Sequence, residues 1–435
     1  FLLAKLLFDA KTGLIAGFIL ASSLLLNVEA RLAKTDAFLL FTIVACSYFL
    51  AKLTFASNFK LRDKLFFWLF LSLGILIKGP MAPLFIILTL CATVLYEKRA
   101  TLLKRLNCPL GLLIIATVVL PWFVLITLKS GILFWQESIG RDFAAKIASG
   151  QEAHGRFFGF YLLTILVMFW PASILLPTLI TDTYKHIKQK KIFFLALPAL
   201  LFLLICEFIP TKLVHYILPI YPTLAILGAQ ALLKKKEYLS KTTGLGMAIF
   251  AITSLCIATL LIYFPYQLNA TFNFASFVAT FFILLFCVYI VLSLKFESLK
   301  PIFYGAGFVI VIYVIIFGVI ISSLSPLFIS RNLKTLIPTN TGEILLIGYH
   351  EPSSVVELGT KVKLTTSENT LASLHILPAP TYIVVPIEEE SKFIKNAVAT
   401  GIKLKLLGKV IGFNYSKGQN VSLSVYSSIS SYKNL

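Results

Sequence analysis

Leu110–Leu128 reads LGLLIIATVVLPWFVLITL, nineteen residues without a charge. A helix crossing a bilayer needs about 20 predominantly apolar residues, so this stretch has the length and composition of a span. Working outward, the same signature recurs on both sides. A short apolar stub, Phe1–Phe8, is followed by runs near Thr12–Val28, Ala37–Leu53, Leu65–Ile77 and Ala82–Tyr96. After Leu128 come runs near Phe160–Ile180, Ile192–Ile209, Ile217–Leu233, Leu245–Phe264, Ala275–Leu294 and Ile302–Leu324. These predict about eleven spans. The whole chain agrees: of 435 residues 58% are hydrophobic and 13% charged, with a mean hydropathy of +0.90. A soluble domain runs about 45–50% apolar and about 25% charged. The composition excludes an ordinary soluble domain and a disordered chain, and predicts a polytopic α-helical membrane protein.

The formal charge of +20 sits mostly in alternate loops. Lys60–Lys64, Lys98-Arg99 with Lys104-Arg105, Lys185–Lys191 and Lys234–Lys236 all fall on one side. Basic loops mark the cytoplasmic face. No basic stripe alternates with exposed aromatics as single-strand binders require, so nucleic acid is not an expected partner. The six cysteines lie in or beside apolar runs with no CxxC pair and read as packing residues.

Beyond about Ser325 the character changes. Charges return, and Glu343–Tyr349 and Thr381–Pro386 read as short buried strands. Glu388–Thr400 has helical spacing of Phe393, Ile394 and Val398 and stops before Gly401, a C-cap signal. Ile402–Leu407 and Val421–Tyr426 add alternating strands, with a turn at Ser416–Gln419. We therefore expect two domains: residues 1–325 spanning the membrane, and residues 326–435 forming a small C-terminal α/β domain on the outer face.

Several cations oppose the topology signal by falling at outer ends of spans or in outer loops: Arg31, Lys34, Lys78, Arg141, Lys146, Arg156 and Lys212. Ionisable groups at membrane depth are expensive and are functional candidates by default. Cations converging at one interface suit a lipid-linked phosphate, which Arg meets with paired donors and Lys as a point charge. Tyr161, Trp135 and Tyr216 fall in the same layer, where they could stack on a sugar. Alternatives stay open. Lys34 and Lys129 also fit as snorkelling helix-end lysines, and Trp122, Trp135 and Trp170 as an interfacial belt. Asp36 also fits as an ion-pair partner of Arg31 or Lys34. His154, His215 and His350 show no metal-ligand spacing. No cofactor is indicated; a divalent cation is left open. The cations could serve an enzyme acting on a lipid phosphate, or line a transport path near the midplane. Their position at one face, and the lack of visible repeated halves, favour the enzyme.

Four motifs occur in order: Ala30–Asp36 (ARLAKTD), Leu76–Pro80 (LIKGP), Leu120–Phe123 (LPWF) and Thr211–Pro219 (TKLVHYILP). Gly348–Ser353 and Gly408–Ser416 follow in the tail. In this order they resemble the bacterial aminoarabinose transferases of lipid A and their relatives, the protein O-mannosyltransferase-like membrane glycosyltransferases of the C-type fold. The resemblance implies transfer of a sugar from a polyprenyl-phosphate donor to lipid A or another envelope acceptor, on the periplasmic side of the bacterial inner membrane. It implies that Lys78, Arg141 and Tyr216 contact the donor phosphate and that Asp36 helps organise the site; Lys212 is expected to bind the same phosphate. Arg31, Lys34, Arg156 and His215 are candidates for further donor or acceptor contacts, and no metal is assigned. Val214-His215 stands where relatives commonly have Pro-Thr, which leaves the sugar open. The chemistry fits, because a glycosyl phosphate carries its own leaving group and needs cations to stabilise the departing charge, plus a carboxylate to deprotonate the acceptor. Such relatives hold that base in the first outer loop. Phe1–Phe8 matches the end of their second span, so the sequence predicts that about two helices and a loop precede Phe1, and that the 435 residues alone are inactive.

Overall fold

The computed structural model describes residues 1–98, 101–138, 140, 156–234, 241–269, 271–293, 300–338, 342–377, 380–415 and 417–429. The chain divides into two compact units, one of Phe1–Thr259 with Phe281–Ile312, the other of Leu260–Thr280 with Tyr313–Leu435.

Each apolar run folds as a helix or a helix pair. Among the described residues seven helices are long and apolar enough to cross a membrane: Asp36–Phe55, Cys108–Ser138, Lys190–Phe208, Val214–Lys234, Thr242–Asn269, Phe274–Ser293 and Tyr304–Ser323. Val214–Lys234 is 78% buried and Cys108–Ser138 only 11%, so the first lies inside the bundle and the second shows its side chains to the surroundings. Two runs are not straight. Phe160–Met168 and Ala172–His186 meet at 118°, which makes the 160–180 run a broken or re-entrant element. The Thr12–Val28 run is interrupted at Ser23, between helices Ala10–Ser22 and Leu24–Glu29. Asp9 caps the first of these, its carboxylate accepting from the Thr12 backbone N–H at 2.8 Å.

The helix pair that matters most is Asp36–Phe55 and Leu61–Lys78. An ion pair closes each end: Lys52 with Asp63 and Lys78 with Asp36, both at 2.6 Å. Each Asp lies in a first helical turn and each Lys in a last one, the arrangement that complements both helix dipoles. Between the clamps, Phe49 stacks on Phe66 and Phe70. Gly74 lets Leu61–Lys78 approach the helix Met81–Glu97 closely, since a Cβ there would lie 2.5 Å from Ala82 Cβ. This packing fixes where Lys78 ends up.

The second unit holds a five-stranded sheet of order β2-β1-β3-β5-β4, with β1 Ile344–Ile347, β2 Val362–Thr365, β3 Tyr382–Pro386, β4 Leu404–Asn414 and β5 Gln419–Ser428. β1 runs parallel to β2 and β3, whereas β5 is antiparallel to β3 and β4. One face packs Leu346, Val384, Leu423 and Val425 against Ile329 and Leu333 of the helix Ile329–Leu336. The other packs Ile347, Ile383 and Val385 against Phe393 of the helix Ile387–Ala399. Covered on both faces, β1 and β3 read in sequence as continuous apolar runs. Phe393 is core as expected. Val398 is 69% exposed instead, because the helix turns that position away from the sheet. The short half-exposed strand β2 and the helices Pro352–Leu358 and Ser367–Leu374 are additions to the sequence reading.

Candidate functional site

Asp36 is the first residue of its helix and only 6% exposed. A buried carboxylate needs compensation. It comes from across the helix pair, where the Lys78 ammonium donates to Oδ1 at 2.6 Å. The partners expected from the local sequence, Arg31 and Lys34, are engaged elsewhere. Arg31 donates to the Asn27 carbonyl and side-chain oxygens, and Lys34 lies 3.8 Å from Glu29.

A third wall comes from the Val214–Ile220 turn. The Lys78 ammonium lies 5.5 Å from the centre of the Tyr216 ring, within cation–π range. His215 meets Tyr216 edge-on, with Nε2 3.8 Å from Asp36 Oδ2 and Nδ1 3.7 Å from Glu29 Oε1. Those separations are too long for hydrogen bonds but close enough for charge to be felt. Glu29 lies one residue past the Thr12–Val28 run. Burial pushes its carboxyl above the ordinary range, opposed by the charge of Lys34.

Thus the structure brings Asp36, Lys78, His215 and Tyr216 together, with Lys34 joined through Glu29. These cations and carboxylates meet at the ends of apolar helices, in a setting where an anion could exchange for Asp36 on the Lys78 ammonium. Lys212 is held apart from this group. It is 5% exposed, 3.9 Å from Glu207, and donates to the Arg156 carbonyl at 3.4 Å. The Arg156 side chain is exposed. Arg141 and Lys146 lie outside the described residues.

Two aromatic expectations change. Tyr161 is fully buried and its hydroxyl donates to the Leu213 carbonyl, so in this conformation its ring has no face for a sugar. Trp170 is also fully buried, donating to Ser254 and stacking on Phe250; it is a core residue rather than part of an interfacial belt. Glu29 and Glu207 are the two residues that sequence reasoning missed. Each is a carboxylate in or against an apolar run, and that alone was the available signal. Among the described residues no group of three or more His, Cys, Asp or Glu could hold a metal ion.

Residues 1–125 match a family profile described as dolichyl-phosphate-mannose-protein mannosyltransferase. The chain is 29% identical over 272 residues to the undecaprenyl phosphate-alpha-4-amino-4-deoxy-L-arabinose arabinosyl transferase of Pseudomonas aeruginosa strain UCBPP-PA14, covering 59% of this chain and 48% of that protein. The same enzyme from strain LESB58 is 30% identical over 209 residues, or 45% and 37% of the two chains. The chain therefore spans about half the length of the first of these relatives. In structure it resembles ArnT from Cupriavidus metallidurans bound to undecaprenyl phosphate, with a TM-score of 0.74 at 16% identity, covering 98% of this chain and 81% of that one. The apo form of that protein matches equally well. The resemblance read from the motifs is borne out in both sequence and fold: this is a polytopic helical protein with a small C-terminal α/β domain.

Proposed function

We propose that this chain carries the donor site of a membrane glycosyltransferase that moves a sugar from a polyprenyl-phosphate donor to lipid A or another envelope acceptor on the periplasmic side of the bacterial inner membrane. The observation that carries the reading is the meeting of Lys78, Asp36, His215 and Tyr216 at the ends of apolar helices. A lipid-linked phosphate has its headgroup at that level and its tail in the bilayer. The relatives that act on undecaprenyl phosphate-aminoarabinose support this donor class, and so does a fold shared with a protein that binds undecaprenyl phosphate.

In this reading the bond between the anomeric carbon and the phosphate oxygen breaks with its electrons staying on the departing prenyl phosphate. The acceptor oxygen forms the new bond, and a hydroxyl acceptor gives up its proton to a carboxylate. Lys78 is the cation that meets the growing phosphate charge. Asp36 keeps its ammonium aimed before the donor arrives, an electrostatic preorganisation of the kind that dominates many enzymes. Tyr216 borders the same ammonium. Arg141 adds a second phosphate contact, with Arg31, Lys34, Arg156 and His215 around the sugar or acceptor. The basic loops argue for the orientation, with the C-terminal domain outside.

A transporter is the less favoured use of the same charges, because the relatives are transferases. Proteoliposomes supplied with a polyprenyl-phosphate aminosugar and a lipid acceptor separate the two. Transfer gives a covalent product of increased mass. Flux of the unaltered donor with no new product would contradict the proposal.

A further inference from the structure

We infer that Glu207 and Lys212 form a buried latch that positions the His215–Tyr216 turn for the donor phosphate, with Lys212 acting through Glu207 rather than touching the phosphate. What the turn is positioned to do rests on the function proposed above; the latch itself rests on geometry. Glu207 is one residue from the end of the helix Lys190–Phe208 and 4% exposed. Its two carboxylate oxygens accept from the backbone N–H groups of Tyr161, at 2.9 Å, and Gly159, at 3.1 Å. Those are among the orphan donors at the start of the helix Phe160–Met168, so a carboxylate from one helix caps another. Gly159 has φ +94°, which fits this sharp entry.

Lys212 closes the other side. Its ammonium stands 3.9 Å from Glu207 and donates to the Arg156 carbonyl. Tyr161 then passes the constraint on. Its hydroxyl donates to the Leu213 carbonyl, and that same oxygen accepts from the Tyr216 backbone N–H at 3.0 Å. The chain from Glu207 to Tyr216 is therefore continuous, and Tyr216 and His215 are the residues that face Lys78 and Asp36. For Lys212 to reach a phosphate, it would have to leave the Arg156 carbonyl and strand the buried Glu207 carboxylate without its ion-pair partner, a costly exchange.

Titration with undecaprenyl phosphate distinguishes the roles, using Glu207→Gln, Lys212→Met and the double variant. The latch predicts that each single change weakens binding by about tenfold and that the double is no worse than the worse single, as expected for coupled residues. Lys212→Arg keeps a cation beside Glu207 and should bind better than Lys212→Met. A direct phosphate contact predicts the reverse for Glu207→Gln: freed Lys212 would bind as well or better, and that result overturns the latch. Hydrogen exchange over residues 159–163 gives a readout independent of the donor. Faster exchange in Glu207→Gln supports the latch, and unchanged protection overturns it. If Lys78→Ala leaves prenyl phosphate binding intact while Glu207→Gln loosens residues 159–163, the proposed function fails and the latch stands.

Discussion

Cutting the Asp36–Lys78 pair from either side should give unequal costs, and the structure says which is larger. At 2.6 Å the gross attraction is about 6 kcal/mol for an effective dielectric near 20. Desolvation offsets most of that, so the net value is read by truncating one partner and asking what is left behind. Asp36 has a side chain 7% exposed and Lys78 one 29% exposed. Lys78→Met strands a buried carboxylate, with His215 at 3.8 Å as the nearest compensation, and should cost about 2–4 kcal/mol. Asp36→Asn leaves an ammonium on a flexible stem that can reach water, and should cost only about 1–2 kcal/mol. The double variant removes both problems and should be no less stable than Lys78→Met. Reversible unfolding of the four proteins in mixed detergent micelles gives the cycle, with a coupling of about 1–3 kcal/mol expected. Equal single effects that add within about 0.5 kcal/mol would show that the two groups do not depend on each other, and the reasoning would be wrong.

Three further outcomes follow from the same geometry. Tyr216→Phe keeps a ring over the Lys78 ammonium and should bind a prenyl phosphate nearly as wild type, whereas Tyr216→Leu should lose about 1–2 kcal/mol if the ring face matters; equal behaviour of the two variants in a donor titration would argue otherwise. In the second unit, the hydrogen bond from the Tyr426 hydroxyl, together with Lys409, holds the Glu390 carboxyl below its ordinary value. A depressed folded-state value adds stability that is full above the unfolded carboxylate range, near 4.5, and is lost as pH falls through the folded value. Tyr426→Phe should flatten that acid-side loss, as read by hydrogen exchange over β3 and β5 at pH 3 to 6, and an unchanged profile would remove Glu390 as its source. Cysteines placed at Lys60 and Lys361 should label from opposite sides of the membrane, while labelling from one side would reverse the proposed orientation.

Much of this was legible in the sequence, for definite reasons. Apolar length is a one-dimensional property, so each run from Thr12–Val28 to Ile302–Leu324 could be read directly and each is helical. Bends are not. The 118° break near Trp170-Pro171 lies inside a run whose composition is continuous, and Trp170 is held there by Ser254, far along the chain. Lys78 was legible because it had no acidic neighbour to explain it. Its partner Asp36 stood out as a carboxylate between two apolar runs, yet the pairing joins residues 42 apart, where local reading offered Arg31 and Lys34. Glu207 was lost inside the Ile192–Ile209 run, since its role depends on two backbone N–H groups about 50 residues away. Lys212 could be recognised as an unusual cation, but only the fold shows it facing Glu207. In the tail, β1 and β3 announced themselves by their apolar runs, while β2, half exposed at the sheet edge, carried no such signal.

Mass analysis of the envelope lipid fraction tests the central claim most directly, comparing cells that make the protein from its complete gene with cells that make Lys78→Met at equal membrane abundance. Loss of a preorganised cation at a departing phosphate costs about 10²-fold or more in turnover, so the acceptor should carry the sugar's added mass in the first strain and essentially none in the second. A modified acceptor at the wild-type level in the Lys78→Met strain would contradict the claim that this ammonium serves the donor phosphate.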